Sequence, residues 1–294
     1  MDPQAAVQWS RRRLKVTGPG LSPWLHEEVG RRMQERLDVI KLQPQHWLAW
    51  EPVRTGLESI GLIQARYPQA QCHVYARQAQ EREQALAILQ KSWWQPARWL
   101  NPLQLHDEVP LKQGMLWANM VLHTSAEPLT LMGQWHQSLE VDGFVMFSCL
   151  GPDTLRELRS VYAAQGWAPP AHEFTDMHDW GDMLVQAGFA EPVIDMERIS
   201  LTFESPERLL LELRELGRNM SVQRPRGLKG RLWQTQLHQA LRHLARPEED
   251  GRIMLTFEVI YGHALKPQAR AKVQAHSEIG LDDMRAMLRQ SRPE

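Results

Sequence analysis

Short apolar stretches with the length of buried β-strands alternate along this chain with segments whose apolar residues recur every three or four positions. That recurrence is typical of amphipathic helices. Strands that alternate with helices form a mostly parallel sheet covered by helices on both faces, so the pattern predicts an α/β fold. The predicted strands are His46–Trp50, 71–76, 115–123, 144–150, 193–199 and 253–262.

The predicted helices lie between these strands, and one region is unusually long. The segment between the last two strands is mainly helical in pattern from 206 to 244. An insertion of that length between neighbouring strands is usually functional, such as a lid or a binding element. The other predicted helices are 24–42, 57–66, 81–91, 130–139, 152–164 and 180–187.

Composition excludes several classes of protein. With 34 basic and 35 acidic residues, for a net charge of −1, the chain has no overall field that would attract nucleic acid. Its two cysteines, Cys72 and Cys149, are too few for a disulfide framework or an all-cysteine metal cage. The longest apolar stretch, 143–151, is about half of what a membrane helix needs, and no signal peptide is visible, so we expect a cytoplasmic protein.

The sequence predicts three parts. Residues 1–23 are basic and rich in turn-forming residues, which indicates a mobile N-terminal arm. Residues 24–266 form the α/β domain, which includes the helical insertion 206–246. Residues 267–294 form a C-terminal tail.

Three segments carry a resemblance to a known family. They are LHEEVGRRM at 25–33, FSCLGPDTL at 147–155 and FTDMHDWGD at 174–182. Each is similar to the malonyl-acyl-carrier-protein O-methyltransferases of biotin synthesis, and so are residues 119–123 and 258–264. Because the resemblance extends over about residues 24–266, the chain is identified as a member of that family.

The resemblance implies a fold, a reaction and a partner. The fold is the Rossmann-like sheet of class I methyltransferases, with a helical lid insertion. The reaction is methyl transfer from S-adenosylmethionine to the free carboxyl group of a malonyl thioester on an acyl carrier protein. That carboxylate is already ionised at neutral pH, so positioning of the reacting atoms can supply most of the rate without a general base. The sequence identifies no catalytic residue.

The segment expected to bind S-adenosylmethionine departs from the family pattern. Family members carry an acid and a glycine-rich turn after the first strand, because glycine lets the backbone approach the ligand closely. In this chain Trp50 replaces the acid. Pro52 and Arg54 replace the first two glycines, and only Gly56 remains. Ala76 stands where the second strand of the family ends in an acid for the ribose hydroxyls.

Two functional interpretations follow. In the first, the chain is a malonyl-carrier-protein O-methyltransferase whose cofactor contacts include Gly56 and Asn119. In the second, it is a catalytically inactive pseudo-methyltransferase that binds a carrier protein or another partner. The resemblance favours the first, and the substitutions at the cofactor segment favour the second. The next acids along the chain, Glu81 and Glu83, are expected to face solvent on the following helix.

The helical insertion is strongly basic. Between residues 208 and 246 there are nine basic and two acidic residues, a local charge of +7. An acidic carrier protein would be attracted by such a surface, although a solvated helical face has the same composition. Arg198 and Arg214 are candidates for pairing with the malonyl carboxylate. Tyr261 either closes the substrate pocket or packs in the core. Nucleic-acid binding remains an alternative for the basic segment, but no known module is present.

A group of histidines and aspartates follows the second family segment. His172, Asp176, His178 and Asp179 include residue types that ligate metals, but their spacing matches no standard site. An aspartate directly before a helix is a common N-cap. The sequence therefore predicts a capped helix at this point and no metal site.

Overall fold

The structure, a computed structural model, describes residues 1–10, 23–89, 103–225, 227, 229–246 and 250–268. Within these residues the strands are β1 (His46–Trp50), β2 (Gln71–Tyr75), β3 (Gln104–His106), β4 (Gln113–Ala118), β5 (Leu139–Leu150), β6 (Ala190–Phe203), β7 (Ala245–Arg246) and β8 (Arg252–Leu265). They form one sheet in the order β3-β2-β1-β4-β5-β8-β6, and β7 pairs with β8.

Pairing within the sheet confirms the predicted α/β fold. Strands β1 to β5 are parallel, and β8 runs antiparallel to both β5 and β6. Strands β2 and β3 lie on one side of β1, and β4 and the later strands lie on its other side. In such sheets ligands bind beyond the carboxyl ends of the strands, next to the point where the order reverses. We call that border, which follows Trp50, Tyr75, Ala118 and Leu150, the carboxyl edge.

Apart from Pro3–Ser10 and Pro52–Thr55, which were not predicted, the helices lie close to their predicted positions. They are α1 (Pro3–Ser10), α2 (Trp24–Glu35), α3 (Pro52–Thr55), α4 (Glu58–Arg66), α5 (Ala79–Leu89), α6 (Pro128–Ser138), α7 (Arg156–Ala164), α8 (Met177–Gln186), α9 (Pro206–Leu216) and α10 (Arg231–Arg242). A 3-10 turn, Arg36–Val39, continues α2, and the predicted helical insertion contains α9 and α10. Within the described residues, no helix has the length and apolar character to cross a bilayer.

One predicted strand ends early. Residues 119–123 were expected to continue the strand that begins at 115, but β4 ends at Ala118. Met120 has a φ of 52°, and a 3-10 turn at Leu122–Thr124 follows. Because Val121 and Leu122 are nonetheless buried, their apolar character alone does not distinguish a strand from a buried turn.

The predicted N-terminal arm contains a helix. Ala5 and Ala6 on α1 are buried against Met220, and Asp2 donates its backbone N–H to the carbonyl oxygen of that methionine at 2.7 Å. Residues 11–22 and the tail beyond 268 lie outside the described residues. The division into arm, domain and tail stays a prediction.

Two apolar cores cover the faces of the sheet. Their largest members include five fully buried tryptophans: Trp47, Trp50, Trp117, Trp135 and Trp180. Tryptophans fill cores or line binding faces, and these five fill the core.

Candidate functional site

The loop after β1 is where the family places its glycine-rich turn. Glu51 leaves the strand with a φ of 45°, and Pro52–Thr55 then forms the single turn α3. Proline suits the first position of a helix, because its missing N–H has no helical partner there. Gly56 ends this turn with a φ of 125°, a conformation that glycine adopts without strain. The loop is therefore a compact helical turn.

Trp50 does not project into the crevice at the carboxyl edge. Its side chain is 2% exposed and packs against Tyr75 and Trp135, with ring centroids 4.6 and 5.9 Å away. Ala76, at the end of β2, is fully buried. Neither position where the family carries an acid presents a carboxylate in this chain.

Arg54 forms a buried ion pair with Glu81 at the first turn of α5. The distance from Arg54 Nη2 to Glu81 Oε1 is 2.6 Å, and the two side chains are 10% and 4% exposed. Burial raises the pKa of the Glu81 carboxyl group, and the neighbouring Arg54 charge opposes that shift. The expectation that Glu81 faces solvent was wrong, because α5 turns the face that contains Glu81 and Ala85 toward the protein.

Helix α1 is attached at the same place. Arg54 Nη1 donates to the carbonyl oxygen of Trp9 at 3.3 Å, and Gln78 Nε2 donates to the carbonyl oxygen of Ser10 at 2.7 Å. The loops after β1 and β2 are therefore bridged to each other and to the C-terminal end of α1.

Residues at this end of the carboxyl edge do not fit S-adenosylmethionine in the described conformation. Trp50 and Ala76 stand at the positions of the two family acids. Of the nearby carboxylates, Glu81 is already paired with Arg54, and Glu51, one residue after Trp50, lies 3.9 Å from Arg77. The guanidinium group also stands where family members have a glycine, whose missing side chain leaves room for a ligand.

Gly56 and Asn119, the two predicted cofactor contacts, lie next to each other. A Cβ on Gly56 would stand 3.0 Å from Asn119 Nδ2. That amide group donates to the carbonyl oxygens of His26, at 2.8 Å, and Thr55. Its Oδ1 accepts from the Ser148 hydroxyl at 2.6 Å. The side chain of Asn119 therefore ties together α2, the loop after β1 and the end of β5. A cofactor contact for either residue stays a prediction.

The candidate substrate residues occupy three different environments. Arg198 Nη2 pairs with Asp153 at 2.7 Å and lies 3.8 Å from Glu258, at the carboxyl edge beside the end of β5. Tyr261 is fully buried and donates its hydroxyl to Glu197 at 2.5 Å. Arg214 is exposed on α9. The structure does not bring the three together, and their role in substrate binding stays a prediction.

Several cations of the basic insertion are paired with acids. Arg224 pairs with Asp2, and Arg208 with Glu212. Although Arg224 belongs to this basic segment, its contact with the start of α1 leaves its side chain only 28% exposed. Arg226 lies outside the described residues. Exposed basic residues of the insertion are Arg208, Arg214, Arg218, Lys229, Arg231 and Arg242, of which Arg242 lies 4.0 Å from Glu207.

The sequence predicted that Asp176 or Asp179 caps a helix, and Asp176 is the N-cap of α8, which begins three residues before its predicted start. Its carboxylate accepts the backbone N–H of His178 at 2.8 Å. His172 lies elsewhere, buried beside the loop after β4, where its Nε2 contacts the carbonyl oxygen of His123 at 2.9 Å. In the part of the chain that the structure describes, no group of three or more candidate ligands can hold a metal ion.

Sequence reasoning missed two polar residues at the carboxyl edge. Glu81 is recognisable only through its spacing, since Ala85 lies one turn later on the same helix face. Arg159 follows the FSCLGPDTL segment on α7 and lines a cavity of about 500 Å³ with His172. No pattern in the sequence distinguishes Arg159 from the exposed arginines around it.

Solved structures support the fold. A candidate methyltransferase from Bacillus halodurans C-125 superposes with a TM-score of 0.54 at 14% identity, covering 82% of this chain and 100% of that chain. A second structure, the YcgJ protein of Bacillus subtilis, superposes with a TM-score of 0.53 at 9% identity. At such identities the likeness concerns the fold alone. No protein-family model matches the chain.

Curated relatives are much more similar in sequence. The malonyl-[acyl-carrier protein] O-methyltransferase of Laribacter hongkongensis is 37% identical over 259 residues, which is 84% of this chain and 84% of the relative. The protein of the same name from Gallionella capsiferriformans is 37% identical over 86% of this chain and 88% of the relative. That from Methylovorus sp. is 36% identical over 84% of this chain and 83% of the relative. With this identity sustained over most of both chains, the chain belongs to the malonyl-[acyl-carrier protein] O-methyltransferase family.

Proposed function

We propose that this chain methylates the free carboxyl group of a malonyl thioester on an acyl carrier protein, as a cytoplasmic step of biotin synthesis. The observation that carries the proposal is the 37% identity to the Laribacter hongkongensis malonyl-[acyl-carrier protein] O-methyltransferase over 84% of both chains. S-Adenosylmethionine is the methyl donor that family membership implies.

An acyl carrier protein is the partner that the charge of the insertion favours. Carrier proteins are typically acidic, and exposed Arg214, Arg218 and Arg231 lie on or beside the two helices that follow β6. Opposite charges steer association, and the effect weakens as salt screens them. Arg208 and Arg224 contribute less to this attraction, because both are paired with acids of the protein.

The Arg54–Glu81 ion pair favours a second candidate function. A chain that holds this pair closed would bind the malonyl carrier protein without methylating it, as a regulatory or interaction protein. Both candidates share the partner and differ only in the use of S-adenosylmethionine.

The deciding experiment incubates the purified chain with malonyl carrier protein and S-adenosylmethionine and measures the malonyl methyl ester by mass spectrometry. Ester formation at a rate comparable to that of the Laribacter hongkongensis relative supports the first candidate. Saturable binding of the carrier protein without any ester supports the second. If the chain neither binds the carrier protein nor forms ester, both candidates fail.

A further inference from the structure

A cavity of about 500 Å³ lies at the carboxyl edge, away from the Arg54–Glu81 ion pair. It is open to solvent on one side and is lined by α7, by the segment 167–173, by residues 221–223 of the helical insertion and by Met1. Two hydrogen bonds place it beside the ends of the central strands. Arg159 Nη1 donates to the carbonyl oxygen of Pro152 after β5 at 3.0 Å, and His172 Nε2 contacts that of His123 after β4. Sites for small ligands typically have volumes of this order.

Arg159 contributes an unsatisfied cation to this cavity. Its Nη2 atom is buried and has no hydrogen-bond acceptor among the described residues. The guanidinium carbon lies 5.5 Å from the centre of the Phe174 ring. Burial lowers the pKa of Arg159, and the charges of Asp153 and of Glu173, which also lines the cavity, oppose that shift. A buried arginine remains charged, so an enclosed N–H without an acceptor is costly until an anion binds it.

Other arginines around the site differ from Arg159. Arg198 is already paired with Asp153, and Arg54 with Glu81. Arg159 is held by one hydrogen bond to a backbone oxygen, so rotation of its terminal torsions can turn Nη2 toward a ligand in the cavity. It is therefore better placed than Arg198 to accept a new carboxylate.

His172 contributes an unsatisfied acceptor to the same cavity. Because Nε2 lies 2.9 Å from a carbonyl oxygen, that nitrogen carries the proton. Burial lowers the pKa of His172, so the ring is neutral at physiological pH and its Nδ1 is an acceptor. Nδ1 is buried without a partner among the residues described. The ring stands 4.7 Å from Phe174, the same aromatic side chain that Arg159 contacts.

We propose that this cavity is the acyl site, in which Arg159 binds the free carboxylate of the malonyl group and His172 accepts an amide N–H of the pantetheine arm. The proposal rests on the proposed function, since it assumes a malonyl thioester as ligand. Arginine and carboxylate match in geometry and charge, and they pair strongly in an enclosed site. Methylation removes the negative charge, so the product ester loses this pairing and is released. The aromatic and proline walls, Tyr162, Trp167, Pro169 and Pro170, suit the uncharged part of the acyl thioester.

Calorimetric titration with malonyl-pantetheine and with its methyl ester tests the proposal, because these probes lack the carrier protein. The wild-type chain should bind the malonyl form about tenfold or more tightly than the ester. In Arg159→Gln that preference should fall to about onefold, with little change for the ester. His172→Phe should weaken both probes equally, since both contain the amide. Arg156→Gln, an exposed position on the same helix, is the matched control and should keep the preference.

Several outcomes overturn the inference. The wild-type chain could bind the two probes equally or bind neither. The preference for malonyl-pantetheine over its methyl ester could also survive in Arg159→Gln, or be lost in Arg198→Gln instead. Thermal unfolding of each variant shows whether the fold is kept. Arg159→Lys keeps the positive charge but not the two parallel N–H donors of arginine, so it should retain part of the preference for malonyl-pantetheine. A parallel titration with malonyl carrier protein tests the proposed function separately from the acyl site. If the carrier protein binds while the probes show no preference, the acyl site is wrong and the proposed function stands.

Discussion

Arg54 and Glu81 form an ion pair of 2.6 Å that joins the loop after β1 to the first turn of α5, with both side chains almost fully buried. In class I methyltransferase folds, ligands bind beyond the carboxyl ends of these strands. We therefore expect changes to the pair to alter both the free energy of unfolding and ligand binding at the carboxyl edge, and both can be measured.

Removing one partner of the pair should destabilise the protein strongly. We expect Arg54→Met to lower the free energy of unfolding by about 3–5 kcal/mol, because Glu81 is then left as an uncompensated buried charge. The double variant Arg54→Met/Glu81→Met should recover most of that loss, since two apolar side chains of similar volume replace the pair. Urea unfolding of the single and double variants measures both effects. Additive losses in the double variant would show that the two side chains are not coupled.

Opening the pair should strengthen cofactor binding. If the pair stays closed, as in the second candidate function, S-adenosylhomocysteine should bind the wild-type chain with a dissociation constant of about 1 mM or weaker, and Arg54→Gly/Glu81→Gln at least about tenfold more tightly. Calorimetry measures both constants, and the Laribacter hongkongensis relative serves as the reference. Arg208→Ala/Glu212→Gln removes an ion pair on α9 and should leave the wild-type value unchanged. A micromolar wild-type constant would show that the ion pair does not obstruct the site.

Charge reversal on the insertion should weaken carrier-protein binding. We expect Arg214→Glu, Arg218→Glu and Arg231→Glu together to reduce affinity and to flatten its dependence on salt between about 50 and about 300 mM, because the steering charges are lost. Arg224 is omitted, since its pairing with Asp2 holds the start of α1.

The matched control for that experiment changes the net charge equally at other exposed positions. Lys41→Glu, Lys112→Glu and Arg156→Glu should have a much smaller effect on carrier-protein affinity. If the two triple variants behave alike, the partner responds to overall charge and the insertion is only a solvated surface.

Gly56 and Gly61 should respond to alanine in opposite directions. Gly56 has a φ of 125° and its Cβ position is 3.0 Å from Asn119, so we expect Gly56→Ala to destabilise the fold by about 1–3 kcal/mol. Gly61 lies within α4 with no atom within 4 Å of its Cβ position, so Gly61→Ala should stabilise by about 0.5–1 kcal/mol. Chemical unfolding distinguishes the two signs. A neutral Gly56→Ala would mean that the loop after β1 relaxes easily.

Buried His26 should make the protein less stable at acidic pH. Burial lowers its pKa to about 4, against an ordinary value of 6.5. Between these values the unfolded chain binds a proton that the folded protein does not, so stability falls as pH falls from about 6.5 to about 4, by on the order of 3 kcal/mol for this group. Between about pH 7 and about pH 5, measured by urea unfolding, the loss in His26→Gln should be smaller than in the wild-type protein by about 2 kcal/mol, the part of the effect that falls in this interval. Parallel pH profiles for the two proteins would contradict this assignment.

The order of strands and helices was predictable from the sequence because it depends on local periodicity. His46–Trp50 and 71–75 are short apolar runs between turn-forming residues, and both pair as parallel central strands. Asp176 was predictable as an N-cap for the same reason, since the bond to the backbone N–H of His178 closes within three residues. The substitutions at Trp50, Pro52 and Arg54 were also visible, as departures from a family pattern.

Tertiary structure alone determined what those substitutions do, since their partners are distant along the chain. Arg54 meets Glu81 only because β1 and β2 are adjacent and parallel, which brings the loops after both strands to one edge. Asn119 and Gly56 meet for the same reason across β1 and β4. Arg159 and His172 share a cavity because α7 and the segment after it fold back over the ends of β4 and β5. Local patterns in a sequence specify which residues form strands and helices, whereas the pairing of buried charges depends on contacts between segments that only the packed sheet brings together.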